Sequence, residues 1–245
     1  MLHPRTKRSN LSGRGKSRAK GRLVRGSAPL RFHIVTLFPG SIEPYLKSSI
    51  IGRARDARKI KISFYDPKDF TRDTYGRVDR RPYGGGPGMV LEPDAILRAA
   101  EAALKKAKGK RQKAKFIFFS TDGEQFSEAL AKKLSRERNI VLIAGHYEGV
   151  DARVQKILKA KKVSMGPYVL TGGELPAATL IDAVARFVPG VLGKAESLEA
   201  SRVSSPEVYT RPEMLVWKGK KYKVPAVLRS GHHAKIDEWK RRRDS

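Results

Sequence analysis

Two adjacent glycines, Gly172 and Gly173, lie between an apolar segment and a segment with helical periodicity, in the sequence YVLTGGELPAA (168–178). Two interpretations fit this pair. Glycine is the usual residue where a chain turns tightly or where two backbones crowd together. A glycine pair before a helix can also hold a ligand against bare backbone, because the N–H groups of a helix N-terminus attract anions. Taken alone, these residues favour the tight turn.

Glycine-containing turns follow three of the predicted strands: FFSTDG (118–123), AGHYEG (144–149) and MGPYVLTGGE (165–174). Because the carboxyl ends of parallel strands lie on one edge of a sheet, we expect the three turns to meet there. None matches G-x-G-x-x-G or G-x-x-x-x-G-K-[ST], which argues against a standard dinucleotide site and a P-loop. The three turns therefore predict another nucleotide-like ligand, held largely by backbone groups.

The segments that position these turns alternate between strand and helix patterns from Arg31 onward. Strands are predicted at 32–38, 59–65, 115–120, 139–145 and from 163, and helices from 41 to about 55 and at 93–107, 127–135, 174–187 and 232–243. A long loop at 66–92 contains PYGGGPGM. Strands that alternate with helices predict an α/β domain with a mostly parallel sheet.

The composition indicates a polyanionic partner. Lys and Arg outnumber Asp and Glu by 52 to 24, and the formal net charge is +28. Such an excess favours nucleic acid. The chain has no Cys, its five His residues lack zinc-ligand spacing, and no apolar run is long enough to span a bilayer. These features predict a cytoplasmic protein that has no membrane partner and no zinc site.

The chain divides into four predicted parts. Residues 1–30 form a basic tail without a single acid, and we expect this tail to be disordered. An α/β domain is expected at 31–193, a polar linker at 194–209 and a small C-terminal unit at 210–245.

Four long stretches resemble one known family. RPYGGGPGM (81–89), GHYEGVDARV (145–154), SMGPYVLTGGELPAATLIDAVARFVPGVLG (164–193) and the YTRPE…VPAVLRSGHHAKIDEWKRR region are similar to the TrmD family of the SPOUT superfamily, the bacterial tRNA (guanine-37-N1)-methyltransferases. The resemblance runs from about Arg31 to Arg243. It implies a SPOUT-type parallel sheet with a deep trefoil knot, followed by a small, truncated helical C-terminal domain. It also implies a homodimer whose active sites are built from both subunits.

The same resemblance implies the reaction and the cofactor pocket. S-adenosylmethionine would bind in the knot, and its methyl group would pass to N1 of guanosine 37 of tRNA; the family is also associated with Mg²⁺. Gly172 and Gly173 would then let the backbone close on the cofactor. Tyr147 and Tyr168 could instead pack in the core, and Glu148 could be a solvated turn residue. The implied cofactor residues are Phe118, Phe119, Ser120, Gly145, Tyr147, Glu148, Gly149, Ser164, Met165, Gly166, Pro167, Tyr168, Val169, Leu170, Gly172, Gly173, Glu174 and Pro176.

Methylation of guanine N1 removes a proton and builds negative charge on O6 and N1, so a cation and a base are the useful groups. Arg186 matches the family's catalytic Arg, although it could also pair with Asp182 one helical turn away. The family's linker carries an Asp that serves as, or helps to organise, the base. An ungapped alignment puts Ser201 there, and a serine hydroxyl is a poor base at neutral pH. Glu199 is the candidate replacement, ahead of Glu196 and Glu207, and its alternative is a solvated linker charge.

Two residues near the glycine-rich loop are candidates for RNA contact. Asp79 matches an acidic position of the family, and Arg80 follows where the family usually has a second Asp. Tyr83 begins YGGGPG and could instead pack beneath that loop.

Two other functions stay open at this point. The chain could be a non-catalytic RNA-binding protein that keeps the knot, or a SPOUT methyltransferase that acts on another RNA. The intact cofactor turns argue against a pure binding role.

Overall fold

A five-stranded parallel sheet forms the centre of the computed structural model, which describes residues 28–106, 114–192 and 207–241. The strand order is β2-β1-β6-β5-β7, and all four neighbouring pairs are parallel. This confirms the predicted α/β class. The five strands are β1 (Leu30–Val35), β2 (Ile60–Tyr65), β5 (Lys115–Gln125), β6 (Asn139–Ile143) and β7 (Lys161–Ser164).

Helices cover both faces of this sheet, because successive side chains of the buried strands point to opposite sides. On β6, Ile140 and Leu142 pack against α4 and α6, whereas Val141 and Ile143 pack against α3 and α5. No helix of the described ranges is both long and apolar enough to cross a membrane. The helices around the sheet are α1 (Glu43–Leu46), α2 (Ser49–Asp56), α3 (Pro93–Lys106), α4 (Glu128–Leu134), α5 (Ala152–Leu158) and α6 (Glu174–Ala185).

Several boundaries differ from the sequence prediction. The single helix expected up to about Arg55 is two helices, α1 and α2. β5 continues to Gln125 instead of ending at residue 120, with a shift in its register against β7 between Phe119 and Glu124. This irregularity lies near the carboxyl edge of the sheet, and a local hydrophobic pattern does not reveal it.

The long loop at 66–92 is held by ion pairs. It contains a short antiparallel pair, β3 (Asp79–Arg80) and β4 (Val90–Leu91). The Asp73 carboxylate pairs with Arg77 at 3.2 Å and with Arg80 at 3.1 Å, and Arg80 also reaches Glu92 at 3.4 Å. The side-chain hydrogen bond from Arg77 is the main cause that lowers the pKa of Asp73 to about 2. Arg80, which stands where the family usually has a second Asp, therefore links Asp73 to Glu92 within this loop.

The C-terminal unit is not purely helical, which corrects the expectation from the sequence. It begins with a β-hairpin formed by β8 (Met214–Trp217) and β9 (Lys220–Lys223), followed by α7 (Ala226–Arg229) and α8 (His233–Arg241). Lys218 and Gly219, with φ of +49° and +76°, form the two-residue turn that joins the strands of this hairpin. The predictions for the basic tail up to residue 27 and for most of the 194–209 linker lie outside the described residues.

Candidate functional site

A cavity of about 460 Å³ opens at the carboxyl edge of the sheet. It lies where β5, β6 and β7 end, and these three strands are neighbours in the sheet. Two of the glycine-containing turns, those after β6 and β7, meet there as the sequence predicted. The third segment, FFSTDG, is part of β5 and not a turn, and its residues 118–121 line the cavity. The volume is in the range of roughly 300–1,000 Å³ that is typical of small-molecule sites.

The cavity brings together every predicted cofactor residue except Pro167 and Glu174. Glu174 is buried directly behind the wall, at the first position of α6. The residues that line the cavity as predicted are Phe118, Phe119, Ser120, Gly145, Tyr147, Glu148, Gly149, Ser164, Met165, Gly166, Tyr168, Val169, Leu170, Gly172, Gly173 and Pro176.

Gly173 is required where two backbone segments cross. Its N–H donates to the carbonyl oxygen of Gly145 over 2.7 Å. A Cβ atom at Gly173 would lie 2.5 Å from Cα of Ala144 and 2.9 Å from the backbone nitrogen of Gly145. Its φ of −83° is open to any residue, so the close approach and not the backbone angle demands glycine. Of the two interpretations, crowding between two backbone segments therefore accounts for Gly173, which also lines the cavity.

Gly172 is required for a different reason. A Cβ atom there would collide with the Glu174 carboxylate and would lie 2.6 Å from Nδ1 of His146. Oε2 of Glu174 lies 3.7 Å from this Nδ1, and Oε1 of Glu174 accepts a 2.7 Å hydrogen bond from the Thr36 hydroxyl. The missing side chain thus leaves room for a carboxylate that joins the segments after β1, β6 and β7.

Aromatic rings form the apolar part of the site. The His146 ring lies between Phe38, at 4.6 Å between ring centroids, and Tyr147, at 4.9 Å. Tyr147 is 51% exposed and Tyr168 is 54% exposed, so core packing, the alternative for both, does not describe them. Half-exposed rings beside a cavity present flat apolar faces on which a heterocyclic base can pack.

The glycine-rich loop adjoins the cavity through Glu148. The Glu148 N–H donates to the carbonyl oxygen of Met89 over 3.0 Å, and the Leu91 N–H donates to that of Gly149 over 2.9 Å. Gly88, at φ +81°, leaves the space that the Glu148 side chain occupies. Glu148 is exposed and also lines the cavity, where its carboxylate can face a cationic ligand.

Arg186 lies at the far end of α6 from the cavity. Glu174 begins the helix and Arg186 is its C-cap, so about 18 Å of helix separate them at 1.5 Å per residue. Asp182, the alternative partner of Arg186, accepts a hydrogen bond from the Tyr45 hydroxyl, and this hydrogen bond raises the pKa of Tyr45. Within one chain, Arg186 is therefore not part of the cavity wall.

The other predicted site residues that the structure describes do not line the cavity. Asp79 lies in β3, and Tyr83 is fully exposed, so packing beneath the glycine-rich loop does not describe it. Glu199, Ser201 and Glu196 lie outside the described residues. Glu207 accepts a 2.6 Å hydrogen bond from the Tyr209 hydroxyl.

Sequence reasoning missed part of the cavity wall. Thr121, His146 and Thr171 lie inside the predicted segments 118–123, 144–149 and 165–174, and they would have been found if every residue of each segment had been included. Gln155 and Lys156 come from α5, and no local pattern marks them. The additional lining residues are Thr121, His146, Val150, Ala152, Gln155, Lys156, Lys162, Val163 and Thr171.

A metal centre is not formed by the residues described. Across 28–106, 114–192 and 207–241, no three His, Cys, Asp or Glu side chains are grouped so that they could hold a metal ion.

Comparison with known proteins gives one consistent family. The family model described as tRNA (Guanine-1)-methyltransferase TrmD matches residues 30–245. A tRNA (guanine-N(1)-)-methyltransferase of Pseudoalteromonas atlantica is 43% identical over 213 residues, which cover 85% of this chain and 78% of that protein. The enzyme of the same name from Desulforamulus reducens is 40% identical over 218 residues, with 87% and 83% covered.

A solved structure agrees with these relatives. The crystal structure of the tRNA (m1G37) methyltransferase from Aquifex aeolicus is similar to this chain with a TM-score of 0.71 and 38% identity. The match covers 86% of this chain and 88% of that one.

Proposed function

The chain belongs to the TrmD family of tRNA (guanine-1)-methyltransferases, and we propose that it transfers the methyl group of S-adenosylmethionine to N1 of guanosine 37 in tRNA. The observation that carries this proposal is the cavity at the carboxyl edge of β5, β6 and β7, which is lined by the turns that resemble the family's cofactor pocket.

The residues of the cavity fit such a cofactor. Gly145, Gly149 and Gly172 offer bare backbone to a ligand, and Tyr147 and Tyr168 offer half-exposed rings on which an adenine can pack. The Glu148 carboxylate attracts positive charge on the ligand. When bound, S-adenosylmethionine supplies an electrophilic methyl group on a positively charged sulfur.

Removal of the guanine N1 proton and stabilisation of the developing negative charge need a base and a cation. N1 of guanine gives up its proton to a base, for which we propose Glu199, while Ser201 stands at the family's Asp position. Arg186 stabilises the negative charge that develops on guanine O6. A positioned cation and a positioned base each contribute roughly 10²-fold or more to such a rate.

A homodimer would resolve the position of Arg186. In a single chain, about 18 Å of α6 separate it from the cavity, so a second copy whose Arg186 approaches this cavity would complete the site. The Gly173 N–H donates a hydrogen bond to the carbonyl oxygen of Gly145 and so holds the segment after β7 against the loop after β6, which is the region where we propose the trefoil knot.

No step of the proposal uses Mg²⁺. We propose a division into a basic tail, a catalytic domain, a linker at 194–209 and a tRNA-binding domain at 210–245. The predicted boundary between the tail (1–30) and the catalytic domain (31–193) shifts slightly, because Leu30 is buried and is the first residue of β1. The charge of +28 supports the tRNA partner, and we propose a cytoplasmic location.

The test is direct. The full-length protein is incubated with S-adenosylmethionine and a tRNA that has guanosine at position 37, or with the same tRNA carrying adenosine there, and the nucleosides are analysed. We expect 1-methylguanosine only from the first tRNA. Cofactor and tRNA binding without methylation would instead support the non-catalytic function, and methylation of ribosomal RNA alone would support the other RNA substrate.

A further inference from the structure

The β8–β9 hairpin exposes apolar residues that a free surface seldom carries. All eight residues of its two strands are exposed. Leu215 is 53% exposed, Trp217 62% and Tyr222 53%. A two-stranded hairpin is only marginally stable by itself, and clustered exposed apolar residues mark a contact surface. This hairpin is therefore placed to bind a partner.

The register of the hairpin puts its aromatic rings on one side. Leu215 pairs with Tyr222 and Trp217 pairs with Lys220, and residues that pair or that stand two apart share a face of the hairpin. We call the side formed by Leu215, Trp217, Lys220 and Tyr222 the aromatic face. Trp217 and Tyr222 are diagonal neighbours, roughly 7–8 Å apart. The opposite side carries Met214, Val216, Lys221 and Lys223.

The charge around the aromatic face selects the kind of partner. The segment 214–236 contains no Asp or Glu, and its basic residues are Lys218, Lys220, Lys221, Lys223, Arg229 and Lys235. A contact of this face with the same face of a second copy would bring two positive surfaces together and would be repelled; the proposed homodimer instead brings Arg186 of one copy to the cavity of the other. A polyanion with flat apolar groups suits both features, because its charges meet the lysines and its rings meet the aromatic side chains.

We infer that the aromatic face is a stacking platform for unpaired bases of RNA. Trp217 and Tyr222 stack on bases, and Lys220 contacts a neighbouring phosphate. Only the naming of this RNA as the tRNA substrate rests on the proposed function. The platform binds loops in preference to duplexes, because paired bases are already stacked on each other.

Fluorescence of Trp217 tests the stacking. The chain has two tryptophans, so Trp239→Phe leaves Trp217 as the only one. Trp239 belongs to α8 and its ring contacts Tyr209, so this replacement keeps an aromatic ring. The variant is titrated with a tRNA anticodon stem-loop and with a blunt RNA duplex of equal length. We expect the stem-loop, and not the duplex, to quench the emission.

Binding measurements complete the test. Loss of one stacked base costs about 1–3 kcal/mol, so Trp217→Ala should weaken stem-loop binding roughly 5–150-fold with an unchanged salt dependence. Trp217→Phe should keep most of the affinity. Lys220→Gln should reduce the slope of log affinity against log salt by about one. Val216→Ala, on the opposite side, is the matched control and should bind as the wild type does.

The outcomes separate this proposal from its competitors. Unchanged emission on adding a stem-loop that binds, or equal losses for Trp217→Phe and Trp217→Ala, would overturn the stacking platform. A change in sedimentation of Trp217→Ala with unchanged RNA affinity would assign the face to a second copy of the chain and overturn it also. If Trp217→Ala loses RNA affinity while the wild type fails to methylate guanosine 37, the platform stands and the proposed function fails.

Discussion

Replacement of Gly173 by alanine would force apart two backbone segments that cross at the cavity. The new Cβ would lie 2.5 Å from Cα of Ala144 and 3.0 Å from its carbonyl carbon, whereas real Cβ atoms almost never approach other atoms within 3.0 Å. Because these neighbours are backbone atoms at the end of a buried strand, they cannot rotate away. The segment after β7 would have to move, and with it the hydrogen bond from Gly173 to Gly145.

The expected cost follows from this geometry. Inserting one methyl group into a closely packed site costs about 1–3 kcal/mol. In a chain of this length, 1 kcal/mol corresponds to roughly 2–4 °C in the melting temperature, so Gly173→Ala should melt roughly 2–12 °C below the wild type. Cofactor affinity should fall as well, because the displaced backbone forms part of the cavity wall. Gly173→Val, with a larger side chain, should abolish cofactor binding.

Calorimetric unfolding and titration with S-adenosylmethionine measure the two effects separately. Gly40→Ala is the matched control, because its Cβ would meet nothing within 4 Å and its φ is not positive. Gly172→Ala tests the contrast, since it displaces only the side chains of Glu174 and His146 and should cost less stability. The reasoning would be refuted if Gly173→Ala melted together with Gly40→Ala, or if Gly173→Val bound the cofactor normally.

Three further predictions concern the base, the tail and the long loop. Glu199→Gln should lower the single-turnover methylation rate roughly 10²–10⁴-fold with unchanged cofactor affinity. Normal methylation by this variant would exclude Glu199 as the base. A large gain in the methylation rate of Ser201→Asp would show that the family's Asp is still the better group. Deletion of residues 1–27 should flatten the salt dependence of tRNA binding and leave cofactor affinity unchanged; an unaltered slope would exclude phosphate contacts by the tail. The pKa of Asp73 is lowered to about 2, mainly by the side-chain hydrogen bond from Arg77. The ionised Asp73 carboxylate therefore stabilises the folded state fully above an ordinary carboxyl pKa of about 3.9, and this stabilisation is lost as the pH falls from about 4 to 2. Asp73→Asn should therefore remove part of the acid-induced loss of stability in that range, and identical pH profiles for variant and wild type would contradict this.

The class of the fold and the edge of the sheet that carries the site could both be predicted from the amino-acid sequence. Alternating strand and helix patterns require parallel strands, and parallel strands collect their following turns on one edge. Local order along the chain was sufficient for two of the three segments, because the glycine turns at 144–149 and 165–174 directly follow β6 and β7, whereas the segment 118–123 lies within β5. The long motifs also indicated the family, because they are contiguous and need no knowledge of which distant residues meet.

The reason why Gly172 and Gly173 must be glycines becomes visible only in the tertiary structure. Gly173 avoids the backbone at Ala144, and Gly172 makes room for Glu174 and His146. The hydroxyl of Thr36, which lies 138 positions earlier in the chain, donates a hydrogen bond to the Glu174 carboxylate. These contacts join residues that are distant in sequence, so no local pattern of propensity or periodicity can reveal them.

The same physical reason explains the position of Arg186 and the exposure of the hairpin. A helical pattern places Arg186 on α6, but only the docking of that helix shows that its opposite end lies at the cavity. The apolar residues of the hairpin look like core residues in the sequence. They are exposed because nothing in the described parts of the chain packs over them, and burial depends on what the folded chain brings near a residue and not on the residue itself.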